Sequence, residues 1–132
     1  MLTWRADPAL LDPVFRADIE AFLGGSKYSW YVLSGFRSEA EQKVLWENYR
    51  FRHGPRAAPP GRSAHNAGLA VDVVLDADAV KPGLQPSWDT KLPAWLWLKA
   101  ASIPHPRIRG GWRFRDYPHL QSTRWKDPRY PV

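Results

Sequence analysis

GRSAHNAGLAVDVVL, residues 61–75, runs from a loop of small residues into an apolar segment with one carboxylate in its middle. Residues 68–75 are rich in valine and leucine and short enough for a buried strand. Side chains alternate faces along a strand. Leu69, Val71, Val73 and Leu75 therefore share one side, and Ala70, Asp72 and Val74 the other. Asp72 projects from the less bulky row beside an alanine, where something has room to bind. A carboxylate buried there without a partner would be strongly destabilising, so a cation or a strong donor is expected close by. His65, seven residues upstream and one of only four histidines, is the first candidate.

The flanking sequence frames this strand with short elements. Asp12-Pro13 reads as a helix start, with Val14, Phe15, Ile19, Phe22 and Leu23 at helical spacing and Gly24-Gly25 as the stop. An earlier start at Asp7-Pro8 is also open. Residues 28–35, YSWYVLSG, read as another buried strand. Ser38 and Glu41 form a capping box that opens a helix to about Arg52, with Val44, Leu45, Asn48 and Tyr49 expected on its buried side. Residues 54–61 are loop, and 76–91 a long surface excursion broken by Pro82, Gly83 and Pro86.

Pro93 starts a third helix whose buried side is expected to hold Trp95, Leu96 and Leu98. Residues 108–114 and 118–121 read as two short strands, a hairpin. The tail, RWKDPRYPV, has no periodicity. Helices and strands do not alternate regularly, which predicts one α+β domain over 1–132 with a small antiparallel sheet flanked by helices.

Composition narrows the chemistry. Cysteine is absent, so thiolate metal sites, catalytic thiols and redox switching are excluded, leaving imidazole and carboxylate as ligands. No apolar run could span a bilayer, and the first residues lack the layout of a secretory signal. The net charge of +6 favours encounter with something anionic. Eight tryptophans suggest a core or groove lined with large aromatics.

A second pole of polar chemistry is RDYPHLQ, 115–121. Proline cannot donate to a ladder, so the regular strand is expected to begin at or after Pro118, leaving Asp116 in a turn that lets it face the same space as His119. His65, Asp72 and His119 then make a two-histidine, one-carboxylate set that zinc accepts tetrahedrally, its fourth position kept for water. Asp116, outside the ligand set, is the candidate general base and acid. Arg37, where SGFRSEAEQ (34–42) passes from strand to capped helix, could grip a substrate carboxylate or an oxyanion.

SGFRS with its following Gln42, then SAHNAGLAVD, then a tryptophan ahead of DYPHLQ, resemble the signature of the LAS-type zinc peptidases. These M15 peptidases include D-Ala-D-Ala carboxypeptidases and L-alanyl-D-glutamate endopeptidases. The likeness covers about residues 28–121. It implies zinc held by His65, Asp72 and His119, catalysis by Asp116 assisted by Arg37, and Ser63 as a substrate contact. Of the tryptophans, most are read as core and Trp112 is placed near the cleft.

Further expectations follow from the resemblance. The fold it implies is a small central antiparallel sheet flanked by helices, shared with hedgehog signalling domains. Aspartate rather than glutamate at the base position points to an L-alanyl-D-glutamate endopeptidase, with a D-alanyl-D-alanine carboxypeptidase as the alternative. The expected substrates are peptidoglycan stem peptides. The expected setting is a monomeric phage or prophage endolysin, made in the host cytoplasm and reaching the wall after holin-type release. Gly110-Gly111-Trp112 departs from relatives that carry an acidic residue between the glycines and the tryptophan.

Each assignment has a structural counterpart. Asp72 could be an ion-pair partner of Arg37, Asp116 a turn former, Arg37 a brace for the helix start, and Ser63 a loop hydrogen-bonder. Gln42 reads as packing and polar satisfaction, and His53 and His105 as structural. The arginines of the last third (Arg107, Arg109, Arg113, Arg115, Arg124, Arg129) read as a solvated face with attraction to anionic envelope polymers. A metal-stabilised, non-catalytic binding module is the rival from another class. A nucleic-acid-binding domain rests on charge and aromatics alone, without a recognised motif.

Overall fold

β3 (Ala70–Asp76) lies at the centre of a six-stranded sheet and pairs on both sides, as its apolar sequence requires. The computed structural model describes residues 1–126, so Arg129 and the final residues of the tail lie outside it. β1 (Leu2–Trp4) runs parallel to β2 (Ser29–Ser34), and β2 is antiparallel to β3. On the other side β3 pairs antiparallel with β6 (Asp116–Ser122), which pairs antiparallel with β5 (Ile108–Gly111). The two-residue β4 (Pro86–Ser87) joins the far end of β3.

The α+β class holds, with a sheet that is mixed rather than wholly antiparallel. The parallel strand β1 went unread because three residues, LTW, carry no period. β4 lies within what reads as a surface excursion, and residues 112–114 form a 3-10 turn instead of extending β5.

The three expected helices are present. α1 (Pro13–Gly24) is capped by Asp12, whose side chain accepts the N–H of Phe15. The alternative start survives as a separate 3-10 turn, Pro8–Leu10, capped by Asp7. α2 (Glu39–Phe51) opens with the Ser38–Glu41 capping box, both reciprocal bonds formed. α3 (Pro93–Ser102) begins at its proline.

The core lies on one side of the sheet. Phe15, Ile19 and Leu23 of α1, with Ala94, Trp95 and Leu98 of α3, cover Trp30, Val32, Val71, Val73, Leu75, Ile108 and Leu120. Each large side chain buried there contributes roughly 1.5–3 kcal/mol. This is the valine face of β3, so Asp72 is left on the opposite face, as the alternation requires.

The buried side expected for α2 is not buried. Val44, Leu45 and Tyr49 are 56%, 37% and 39% exposed, and Gln42 is the helix's one buried residue. The physical reason is position: α2 starts beside the Asp72 face, where its contacts are polar, and none of its side chains enters the apolar cluster. Leu96 of α3 likewise points outward.

Candidate metal centre

Two antiparallel strands bring the first pair of groups together. Asp72 and His119 are direct partners across β3 and β6, so their side chains leave the same face. His119 Nδ1 lies 3.4 Å from Asp72 Oδ1. The third group arrives from the loop before β3. His65 sits in a 3-10 turn, Ala64–Ala67, capped by Ser63, whose Oγ accepts the His65 N–H, and by Asn66, whose side-chain oxygen accepts Ser63 N–H.

Gly68 ends that turn in the left-handed region, at φ 69°. A Cβ there would also stand 3.0 Å from Asp12 N, so glycine is needed on both counts. The sharp exit lets the chain enter β3 with His65 Nε2 placed 3.3 Å from Asp72 Oδ2.

The ring nitrogens not facing Asp72 fix the tautomers. His65 Nδ1 is 2.7 Å from the Gly35 carbonyl, and His119 Nε2 is 2.7 Å from Gln121 Oε1. Both partners only accept, so both nitrogens donate. In neutral rings this leaves lone pairs on His65 Nε2 and His119 Nδ1, aimed at a carboxylate that is itself an acceptor. Three acceptors facing one another need a cation between them. The ligand atoms of His65, Asp72 and His119 all lie within 4.8 Å of one another. Two imidazole nitrogens and one carboxylate oxygen, with both rings oriented by outer hydrogen bonds, are a donor set that suits zinc.

The same contacts shift the pKa values of Asp72 and His119. Burial alone would push Asp72 up, but the hydrogen bonds and charges of His119 and His65 outweigh it and hold its carboxyl well below the ordinary range. Burial likewise pushes His119 down, yet bonding to Asp72 wins and its imidazole is raised.

Around this triad stand the other residues singled out in the sequence. Asp116 Oδ2 is 4.0 Å from His119 Nδ1, with its side chain half exposed at the lip of the site. It is the first residue of β6, not part of a turn before Pro118. What directs it inward is a register shift between Gly110 and Gly111, which sets Gly111 opposite Asp116, just after Arg115 in the left-handed region at φ 60°. Arg37 Nη2 is 3.8 Å from Asp72 Oδ2, while Nη1 donates to Gln42 Oε1 at 2.8 Å. The pairing of Arg37 with Asp72 and the convergence of His65 and His119 on Asp72 therefore coexist.

Ser63 caps the His65 turn. Trp112 begins the 3-10 turn after β5, with Lys99 Nζ of α3 4.7 Å from its ring centroid and its Cδ1 3.1 Å from where a Cβ on Gly110 would stand. Arg107 and Arg124, read as part of a solvated basic face, are tied to Asp18 and Asp12.

Several groups at the site escaped the sequence reading. Ser34 Oγ donates to Asp72 Oδ2 at 2.7 Å, and the Gly35 carbonyl orients His65. Gln121 could have been found from alternation alone, because it lies two residues from His119 on the same face. Ser34 gave no such signal, since its pairing with Asp72 follows a bulge in β2.

A family profile described as D-alanyl-D-alanine carboxypeptidase (VanY) matches residues 21–104, more than half of the chain. The chain belongs to this family. VanY membership makes it an M15-type peptidase of the D-alanyl-D-alanine carboxypeptidase kind, acting on peptidoglycan. The matched segment includes Arg37, His65 and Asp72 and ends before Asp116 and His119, which β6 carries back to the same cluster. No curated protein matches the chain.

Proposed function

We propose that the chain is a zinc-dependent peptidase that hydrolyses peptidoglycan stem peptides at the His65–Asp72–His119 cluster. The observation that carries this reading is the convergence of three ligand atoms with a second carboxylate, Asp116, placed beside them but outside the set. His65 Nε2, Asp72 and His119 Nδ1 would hold the ion, which would supply Lewis acidity and make water ionisable near neutral pH.

The chain's own residues do the rest. Asp116, exposed at the lip, takes the proton of the attacking water and returns it to the leaving amine. Arg37 keeps one guanidinium nitrogen on Gln42 and turns the other toward the cleft, where it steadies a carboxylate or a developing oxyanion. Gly35 and Gln121 hold the two imidazoles in the tautomers that ligation requires. Ser63, whose hydroxyl oxygen caps the His65 turn, has its hydroxyl hydrogen left to donate to substrate.

Within the family we favour an L-alanyl-D-glutamate endopeptidase of endolysin type, supported by the shorter aspartate at the base position. The profile match supports the second reading, a D-alanyl-D-alanine carboxypeptidase. Digestion of purified muropeptides by metal-replete protein, read by mass spectrometry, separates them. New alanine carboxyl and glutamate amine ends support the first, and free D-alanine the second. Intact muropeptides, with or without a chelator, would instead leave a non-catalytic binding module.

A further inference from the structure

We infer that the loop bordering the metal cluster is a cationic rim that binds carboxylates of an anionic peptide substrate outside the reacting bond. Between Glu47 and Asp72 the chain has no acidic residue, but it has Arg50, Arg52, Arg56 and Arg62. All four are exposed, and among the described residues none has a carboxylate within ion-pair distance. Arg50 lies over the Trp46 and Phe51 rings, and Arg52 reaches Asn48 at 3.4 Å. Arg56 and Arg62 are the two left for a ligand. One acid approaches this loop, Glu39, whose Oε1 stands 3.0 Å from where a Cβ on Gly61 would be.

The rim is fastened to the cleft. Gln42, the residue that holds Arg37, also donates from Nε2 to the Ala58 carbonyl at 2.8 Å. Asn66 accepts the Gly61 N–H at 3.1 Å and donates to the Arg37 carbonyl at 2.7 Å. Pro55, Pro59 and Pro60 restrict the backbone between these ties. Arg62 stands three residues before His65, in the segment that Asn66 ties to the Arg37 turn. Guanidinium groups take carboxylates in paired hydrogen bonds, and clustered charge draws an anion in from solution. Elsewhere Arg107 and Arg124 are neutralised by Asp18 and Asp12, which sets those two apart from the rim arginines.

This inference rests on the peptidase reading for its substrate, and the test keeps the two apart. Zinc-loaded Asp116→Asn protein is titrated calorimetrically with a stem-type peptide carrying free carboxylates and with the same peptide amidated at those groups. The acidic peptide should bind roughly tenfold more tightly at low salt, an advantage that shrinks severalfold near 0.5 M salt, where screening acts within about 4 Å. Adding R56Q and R62Q should make the two peptides bind alike. Removing equal charge elsewhere, with K27Q and K91Q, should leave the preference, and melting curves check that each variant is folded.

Equal affinity of the parent for both peptides, a preference that survives R56Q/R62Q, or one equally lost in K27Q/K91Q would overturn the rim. So would tighter binding of inorganic polyphosphate than of the acidic peptide, which would assign the surface to a phosphate polymer. Failure of the wild-type enzyme to cut either peptide, with the binding preference intact, would instead count against the peptidase reading alone.

Discussion

Gln121 accepts the Nε2–H of His119 at 2.7 Å from two residues further along the same strand, while its own Nε2 has no partner among the described residues. A buried amide nitrogen left unpaired costs about 1–3 kcal/mol. The side chain is thus poorly satisfied in itself and well placed for His119. In Gln121→Leu, His119 can move its proton to Nδ1 and donate to Asp72, which closes the lone pair that ligation needs. Metal affinity should fall roughly 10–100-fold, as for other outer-shell partners of ligating histidines. Competition against a chromophoric chelator measures this, with a thermal melt to show that the fold persists. Unchanged affinity would remove Gln121 from the site.

Asp116 lies close to the cluster without converging on it, which separates two roles that carboxylates play at such sites. Asp116→Asn keeps the shape and removes the proton acceptor. The variant should retain its metal, measured by atomic emission against protein concentration, and lose roughly 10²–10⁴-fold in stem-peptide turnover. Loss of metal together with activity would make Asp116 a ligand instead.

Gly111 is where β5 passes closest to the site. A Cβ there would stand 2.4 Å from the Asp116 carbonyl oxygen and 3.0 Å from His119 Cβ, so β6 would have to shift. Gly111→Ala should destabilise the fold by about 1–3 kcal/mol in urea titrations and weaken metal binding at the same time. Gly24, at the end of α1, has nothing within 4 Å of the equivalent position, so Gly24→Ala is the matched control and should be neutral or slightly stabilising.

What could be read beforehand follows from the range of the physics involved. α1, α2 and α3 announce themselves through caps and prolines, which act within one turn. β3 and its Asp72 face follow from period-two alternation, and the metal triad from ligand chemistry at three segments. Less legible were features set by tertiary neighbours. The parallel β1 exists because β2 offers it an edge, and the exposure of Val44 and Leu45 depends on which side of the sheet α2 meets. Asp116 reaches the site through a register shift that no local pattern encodes.

Asp12 joins helix capping to a long-range ion pair, and this gives the fold a pH dependence away from the metal. Its carboxylate is bonded by Arg124 and accepts the Phe15 N–H at 2.9 Å, and these bonds, Arg124 first, hold its pKa below the ordinary value. A depressed folded pKa means that the unfolded chain binds the proton more readily. The stabilisation is therefore present above the unfolded value, about 3.9, and is lost as pH falls through the folded one. Asp12→Asn keeps a capping oxygen but not the charge, whereas Asp12→Ala loses both and should cost about 1 kcal/mol through the cap alone. Since α1 carries Phe15, Ile19 and Leu23 into the core, either loss should register in global unfolding. In urea titrations Asp12→Asn should be less stable than wild type at pH 7, and the two should converge toward pH 2. A gap that persists in acid would place the effect in the cap geometry and not in the Arg124 pairing.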